Sequence, residues 1–169
     1  YQPEYLVHLA SQSSVEKSLH FENLTKQSNI LISKNIIDSI EKYSKETVFF
    51  FPSSATIFEG YSDLLVDENT TPKPLSNYSI SKFITQNYID EKINNSELLI
   101  KTGIMFSHES EYRRDIFFSK SIIKFLTEYK KHSNLNITVG DLSLERDIGY
   151  APEYADAIFK ILFLDNSEK

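Results

Sequence analysis

The chain contains no cysteine and no tryptophan, and only four glycines and one methionine in 169 residues. Without cysteine there is neither a disulfide framework nor a thiolate metal site, and a reducing cytoplasm is the expected setting. None of the glycines falls in a G-x-G-x-x-G array, so the phosphate-cradling turn that opens a dinucleotide-binding domain is not among these residues. Long apolar runs are missing as well. The longest, "IFKILFL" at 158–164, is interrupted by Lys160; it is too short to cross a bilayer and reads as the buried face of a helix. Nothing at the N-terminus has the pattern of a signal peptide, so a soluble, cytoplasmic protein with no membrane partner is expected. Positive charge is scarce: 18 basic against 24 acidic residues leave a net charge of -6 and a pI near 5.2. The dense basic spot "YKKH" at 129–132 suits a solvated helix end, and no nucleic-acid partner is expected. No two histidines have ligand spacing and no carboxylate cluster accompanies them, so no metal site is expected.

What is present suffices for a core: 40% of the residues are hydrophobic and 13% aromatic, enough for one domain or most of one. Parallel strands are predicted near 5–10, 47–54 and 98–106, where apolar, β-branched and aromatic residues run together. Between them lie a helix near 21–44, with Leu24, Leu31, Ile36, Ile37 and Ile40 at helical intervals, and one near 78–94, with Ser76 or Asn77 as its N-cap. The segment 107–115 reads as a charged loop. It precedes a helix over 117–132, a short strand "NITVGD" and a last helix from about Pro152 to Leu164. Strands alternating with helices and no hairpin signal indicate an α/β protein with a mainly parallel sheet.

In such a sheet ligands bind at the C-terminal strand ends. Small hydroxyls and charges gather there: "SQSS" after the first strand, "SSAT" after the second, "SHESEYRR" after the third. Two Tyr–Lys pairs at i, i+4 occur, Tyr78/Lys82 and Tyr88/Lys92, and each pair shares one helix face. Tyr78 follows the second strand's loop, whereas Tyr88 lies nearly three turns further along; only the first pair is placed to reach a ligand. A free phenol is a poor base at neutral pH, and a nearby ammonium is expected to move its pKa down. A phenol so tuned can take a hydroxyl proton while a hydride leaves the same carbon for a nicotinamide, with Ser53 or Ser54 holding the substrate oxygen. His8 and His20 read as a strand residue and a helix-entry residue, and His132 as a surface residue. The three arginines, Arg113, Arg114 and Arg146, stand out against a lysine-rich background as candidate anion contacts.

The segments "HLASQSSV", "FFFPSSATIFEG", "PLSNYSISK", "GIMFSHES" with the arginines behind it, and "GDLSLERDIGYAPEYADAI" resemble, in order, the extended short-chain dehydrogenase/reductase family, and within it the GDP-mannose 4,6-dehydratases. The resemblance implies an α/β, Rossmann-like parallel sheet with helices on both faces. It also implies an N-terminally truncated fragment, with roughly 60 or more residues, two β-α units, upstream of Tyr1. Residues 1–106 would be the C-terminal portion of the dinucleotide-binding domain, and 107–169 would supply nucleotide-sugar-binding elements with a closing strand and helix. By the same resemblance Tyr78 is the acid/base, Lys82 its partner and a ribose contact, and Ser54 the hydroxyl that polarises the sugar O4. Leu9, Ala10, Ser11, Gln12 and Ser13 line the cofactor, NADP or NAD, together with His108 and Arg113. Ser13, Ser107, Glu109 and Arg146 fall to the substrate, a nucleotide sugar of the GDP-hexose kind. A homodimer or higher homo-oligomer is implied through the two long helices.

Two departures qualify this. Where the dehydratases carry a glutamate two residues after the hydroxyl residue, this chain has Thr56, and "SSAT" is the form that sugar-nucleotide 4-epimerases show. Glu59, in an apparent one-residue insertion, is a nearby carboxylate without an assigned position. The missing glycine turn is the second departure. A 4-epimerase or reductase, and a catalytically degenerate binding or assembly protein, therefore stand as alternatives.

Overall fold

Thr47 and the aromatics after it place β-branched and planar side chains in succession, which suits an extended backbone covered on both faces. They lead into the middle strand of a three-stranded parallel sheet, in a computed structural model that describes residues 2–13, 18, 20–61, 65–131, 134–143 and 145–164. Its strands, in spatial order, are β1 (Tyr5–Val7), β2 (Val48–Ser54) and β3 (Ile100–Met105). Leu6 pairs with Phe49, and Phe49 with Ile100, all in parallel register. The period of two then sends Leu6, Phe49, Phe51 and Ile100 to one face. There they meet Ile37, Ile40, Ile89 and Leu98 in the apolar core. Phe50 points the other way, and its ring comes so near Gly103 that a Cβ there would sit 3.1 Å from it.

The covering helices are α1 (Glu22–Lys26), a π-helical stretch (Gln27–Leu31), α2 (Ile32–Tyr43) and α3 (Asn77–Asn95). The stripe they bury is not the one the apolar spacing predicts. Leu24 and Leu31 are exposed, while Thr25, Asn29, Ser33, Ile37 and Ile40 are buried. Steps of four residues from 25 to 37 outrun a 3.6-residue period, and the wider i→i+5 turns between Gln27 and Leu31 absorb the surplus. The result is a face that is polar near the C-terminal edge of the sheet and apolar further along. α3 repeats the pattern, burying Ser79, Ser81, Lys82 and Thr85 before Ile89. It begins at a Ser76 N-cap whose hydroxyl accepts from the Ser79 amide.

Two further helices are α4 (Phe118–Tyr129) and α5 (Ala151–Leu162). By contacts the chain divides into two units, Tyr1–Phe106 with Ala157–Lys169, and Ser107–Asp156. In the first unit the end of α5 lies on the sheet face opposite α2 and α3: Phe163 packs on Tyr5 with ring centroids 4.8 Å apart, and Lys101 Nζ donates to the carbonyls of Leu162 and Leu164. Of the apolar run at its end Leu162 is buried, but Phe159, Phe163 and Leu164 are exposed, against the expectation of a buried face. In the second unit β4 (Ser107–Glu109) pairs in parallel with β5 (Ile148–Tyr150). The predicted loop at 107–109 is thus a strand, and its partner is not "NITVGD", which forms no strand. An isolated extended segment without hydrogen-bonded neighbours has no ladder to join, whereas 148–150 finds one. Ser14 and His132 lie outside the described residues. Among the described residues no helix is long and apolar enough to cross a membrane.

Candidate active site

Ser54 ends β2 where the strand passes into a short 3₁₀ turn, Ala55–Phe58. Its Oγ accepts from the Thr56 hydroxyl at 3.0 Å and from the Thr56 amide at 3.3 Å. Those two donors leave the Ser54 proton for another acceptor, and the Tyr78 phenol in the first turn of α3 lies near enough for Ser54 to favour its phenolate. Burial pushes the Tyr78 phenol up, and Ser54 pulls it back down. Four residues on, Lys82 is 5% exposed and donates to the Pro52 carbonyl at 2.8 Å, with its ammonium 4.8 Å over the Phe51 ring. Desolvation lowers its pKa to about 8. Lys82 thus gives one of its three donors to the strand, while burial and Ser54 act in opposite directions on Tyr78. Beside it the buried Ser53 hydroxyl has no hydrogen-bond partner among the described residues. Tyr88 lies elsewhere, bonded to Asp38 in a surface network with Lys92 and Glu41 that joins α3 to α2.

The segment from Leu9 to Ser13 follows β1 at the same strand edge. Leu9, Ala10 and Ser13 are exposed, Ser11 and Gln12 half-buried. It is held by Asn29, whose Oδ1 accepts from the Gln12 amide at 2.8 Å and whose Nδ2 donates to the Gln12 carbonyl at 3.0 Å and to Ser81 Oγ at 3.1 Å. Ser33 donates to the Asn29 carbonyl at 2.7 Å, so its hydroxyl accepts from His8 Nε2 at 3.0 Å. His8 is buried, and burial and the charge on Lys82 lower its pKa, which favours the neutral imidazole.

The remaining predicted residues are in the second unit. Arg113 Nε stands 3.3 Å from Glu109 Oε2, and its guanidinium lies 3.6 Å over the Phe117 ring. The residues assigned to cofactor and to substrate are thus paired with each other. His108 packs against Tyr154 in a tilted arrangement at 4.7 Å between centroids, while Ser107 and Arg146 are exposed. Of the predicted set, then, Ser54, Tyr78, Lys82 and the segment Leu9–Ser13 belong to the first unit, and Ser107, His108, Glu109, Arg113 and Arg146 to the second.

Reasoning from sequence missed Asn29, which clamps Gln12, and Thr56 as a donor to Ser54. A polar i, i+4, i+8 series, Thr25, Asn29 and Ser33, was the available signal for the first; no spacing rule announces the second.

The chain as a whole is similar to known proteins. "GDP-mannose 4,6 dehydratase 2" of Caenorhabditis elegans is 26% identical over 173 residues, covering 99% of this chain and 44% of that protein. A putative UDP-glucose 4-epimerase of Methanocaldococcus jannaschii is 28% identical over 155 residues, covering 91% of this chain and 50% of that protein. The chain spans about half the length of the curated relatives it matches. Among solved structures, RMD from Pseudomonas aeruginosa complexed with NADPH superposes with a TM-score of 0.86 at 22% identity, covering 95% of this chain and 56% of that one. The UDP-glucose 4-epimerase of Thermus thermophilus in complex with NAD gives 0.82 at 22% identity, covering 96% and 54%. At such identity the likeness is one of fold, an α/β domain with a Rossmann-like parallel sheet. The family model for GDP-mannose 4,6 dehydratase matches residues 1–169, and the chain belongs to that family of nucleotide-sugar dehydratases and epimerases.

Proposed function

We propose that the intact protein is an NAD(P)-dependent enzyme acting at C4 of a nucleotide sugar, with a GDP-hexose as the first substrate to try. The observation that carries this reading is the placing of Tyr78 beside Ser54 with Lys82 buried one turn further along α3. Family membership supports the substrate class. The dinucleotide fits these residues: Lys82 has three donors against one described hydrogen bond, and Leu9, Ala10 and Ser13 are exposed along the strand edge. When bound, a nicotinamide accepts the hydride from C4. Lys82 would hold the ribose, and the segment Leu9–Ser13 would line the dinucleotide and, at Ser13, the sugar. Ser54 would hold the sugar O4, and Tyr78 would take its proton in the phenolate form, which Ser54 favours against burial. His108 and Arg113 are proposed for the cofactor, and Ser107, Glu109 and Arg146 for the nucleotide sugar. NADP takes precedence over NAD, on the resemblance to the dehydratases. The same reading places the protein in the cytoplasm.

Dehydratase chemistry would continue with removal of the C5 proton and loss of the 6-hydroxyl. One observation favours a second outcome: Thr56 supplies a hydroxyl, already engaged with Ser54, where that step calls for a carboxylate. A 4-epimerase or reductase needs no such base. Incubating the intact protein with GDP-mannose and NADP separates the readings. A 4-keto-6-deoxy sugar identifies a dehydratase and a C4-inverted hexose an epimerase, whereas nucleotide binding without any product supports the degenerate binding protein.

A further inference from the structure

Glu59 occupies the insertion after the 3₁₀ turn, and its carboxylate does not face open solvent. It accepts from the Leu75 amide at 2.8 Å, from the Ser76 amide, from the Ser79 hydroxyl, and through Oε2 from the Ser76 hydroxyl at 3.3 Å. These donors are the N-cap of α3 and its two flanks, where a helix presents unsatisfied N–H groups and a partial positive charge. The backbone reinforces the junction. Lys73 N donates to the Ile57 carbonyl at 2.7 Å, and Gly60 N to the Lys73 carbonyl at 3.0 Å. A Cβ on Gly60 would stand 2.7 Å from the Lys73 carbonyl oxygen, so only glycine allows this approach. Burial raises the carboxyl's pKa, but the bonds from Ser79, Ser76 and Leu75 outweigh it and leave it lowered, hence ionised at neutral pH.

We infer that Glu59 is a positioning residue: it locks the loop that follows Ser54 onto the start of the helix that carries Tyr78, and so sets the spacing between that hydroxyl and that phenol. The inference rests on the role proposed above for Tyr78 and Ser54. It also removes Glu59 from consideration as the base missing at Thr56. Its Oε1 is engaged by the Leu75 and Ser76 amides and the Ser79 hydroxyl at the start of α3, and a carboxylate so held is a poor acceptor for a carbon-bound proton.

The test uses Glu59→Ala and Glu59→Gln in the intact protein. In Glu59→Ala, amide hydrogen exchange at residues 75–80 should accelerate about tenfold, as loss of a helix cap does, while β2 and α2 keep their protection. Hydride transfer with GDP-mannose should fall in kcat with KM within about twofold, and Glu59→Gln, which keeps an acceptor oxygen, should recover most of both. Unchanged exchange in Glu59→Ala overturns the inference. So does a Glu59→Gln protein with protected amides and no turnover, since the carboxylate would then be handling a proton itself. If the unmodified protein transfers no hydride, the proposed function fails instead. The inference is then decided by the Tyr78 phenol, titrated by absorbance as a difference against Tyr78→Phe: Glu59→Ala must shift its midpoint, and an unmoved midpoint refutes it.

Discussion

Tyr78 is held between burial, which keeps its phenol protonated, and Ser54, which favours the phenolate. Replacing it by Phe removes one hydroxyl and little packing, so hydride transfer should be lost while the urea midpoint moves by less than about 1 kcal/mol equivalent. Lys82 makes a pH signature. Its folded pKa, about 8, lies below its ordinary 10.5, so between those values the unfolded chain binds the extra proton and stability rises with pH. The cost of burying the ammonium is fully present below pH 8 and is relieved by up to about 3 kcal/mol across the window. Tyr78, with a raised pKa, acts oppositely above pH 10. Urea unfolding from pH 7 to 11 should therefore show a rise in the unmodified protein that Lys82→Met lacks. Thr56→Glu tests the elimination step: release of the 6-hydroxyl from GDP-mannose should appear or increase, without tighter nucleotide binding. Rapid dehydration by the unmodified protein would contradict this reading of Thr56.

At the scale of elements, the helix covering the sheet changes character along its length. Thr25, Asn29 and Ser33 serve the strand edge, and Ile37 and Ile40 serve the core. The π stretch makes this possible by keeping residues four apart on one face. Asn29 is the member with most to lose, since it satisfies both backbone groups of Gln12. Asn29→Ala should cost about 2–3 kcal/mol in urea unfolding and accelerate amide exchange across 9–13, with α3 beyond Thr85 unaffected. A variant as stable as the parent would show that the clamp is dispensable.

For the whole molecule, Leu24, Leu31, Ile32 and Ile84 remain exposed on α1, the π stretch, α2 and α3. Self-association through these helices is proposed, and sedimentation of the intact protein should show a dimer or larger species. A monomer at micromolar concentration counts against it, and Leu31→Glu should dissociate the assembly if these faces meet.

The order of elements as far as the third strand, the parallel sheet and the pairing of Tyr78 with Lys82 on one helix face were legible because each follows from local pattern: β-branched and aromatic runs, helical intervals, an N-cap serine and an i, i+4 spacing. The family likeness was legible for the same reason, as short ordered segments. What the tertiary structure decided are the contacts between segments distant in the chain. Leu24 and Leu31 look like core and are not, because a π stretch alters which residues face the sheet, and hydropathy carries no record of that change. "NITVGD" has the composition of a strand, but a strand needs a partner, and 148–150 took it. Glu59 could be seen in the sequence only as a carboxylate near the site. Its position at the start of α3 depends on how the loop through Lys73 folds back, and Lys82 binds the Pro52 carbonyl because a buried ammonium takes the acceptor that packing brings within reach. Composition and periodicity determine which elements form and which faces they can share; the pairing of polar groups once water is excluded is settled only when the segments meet.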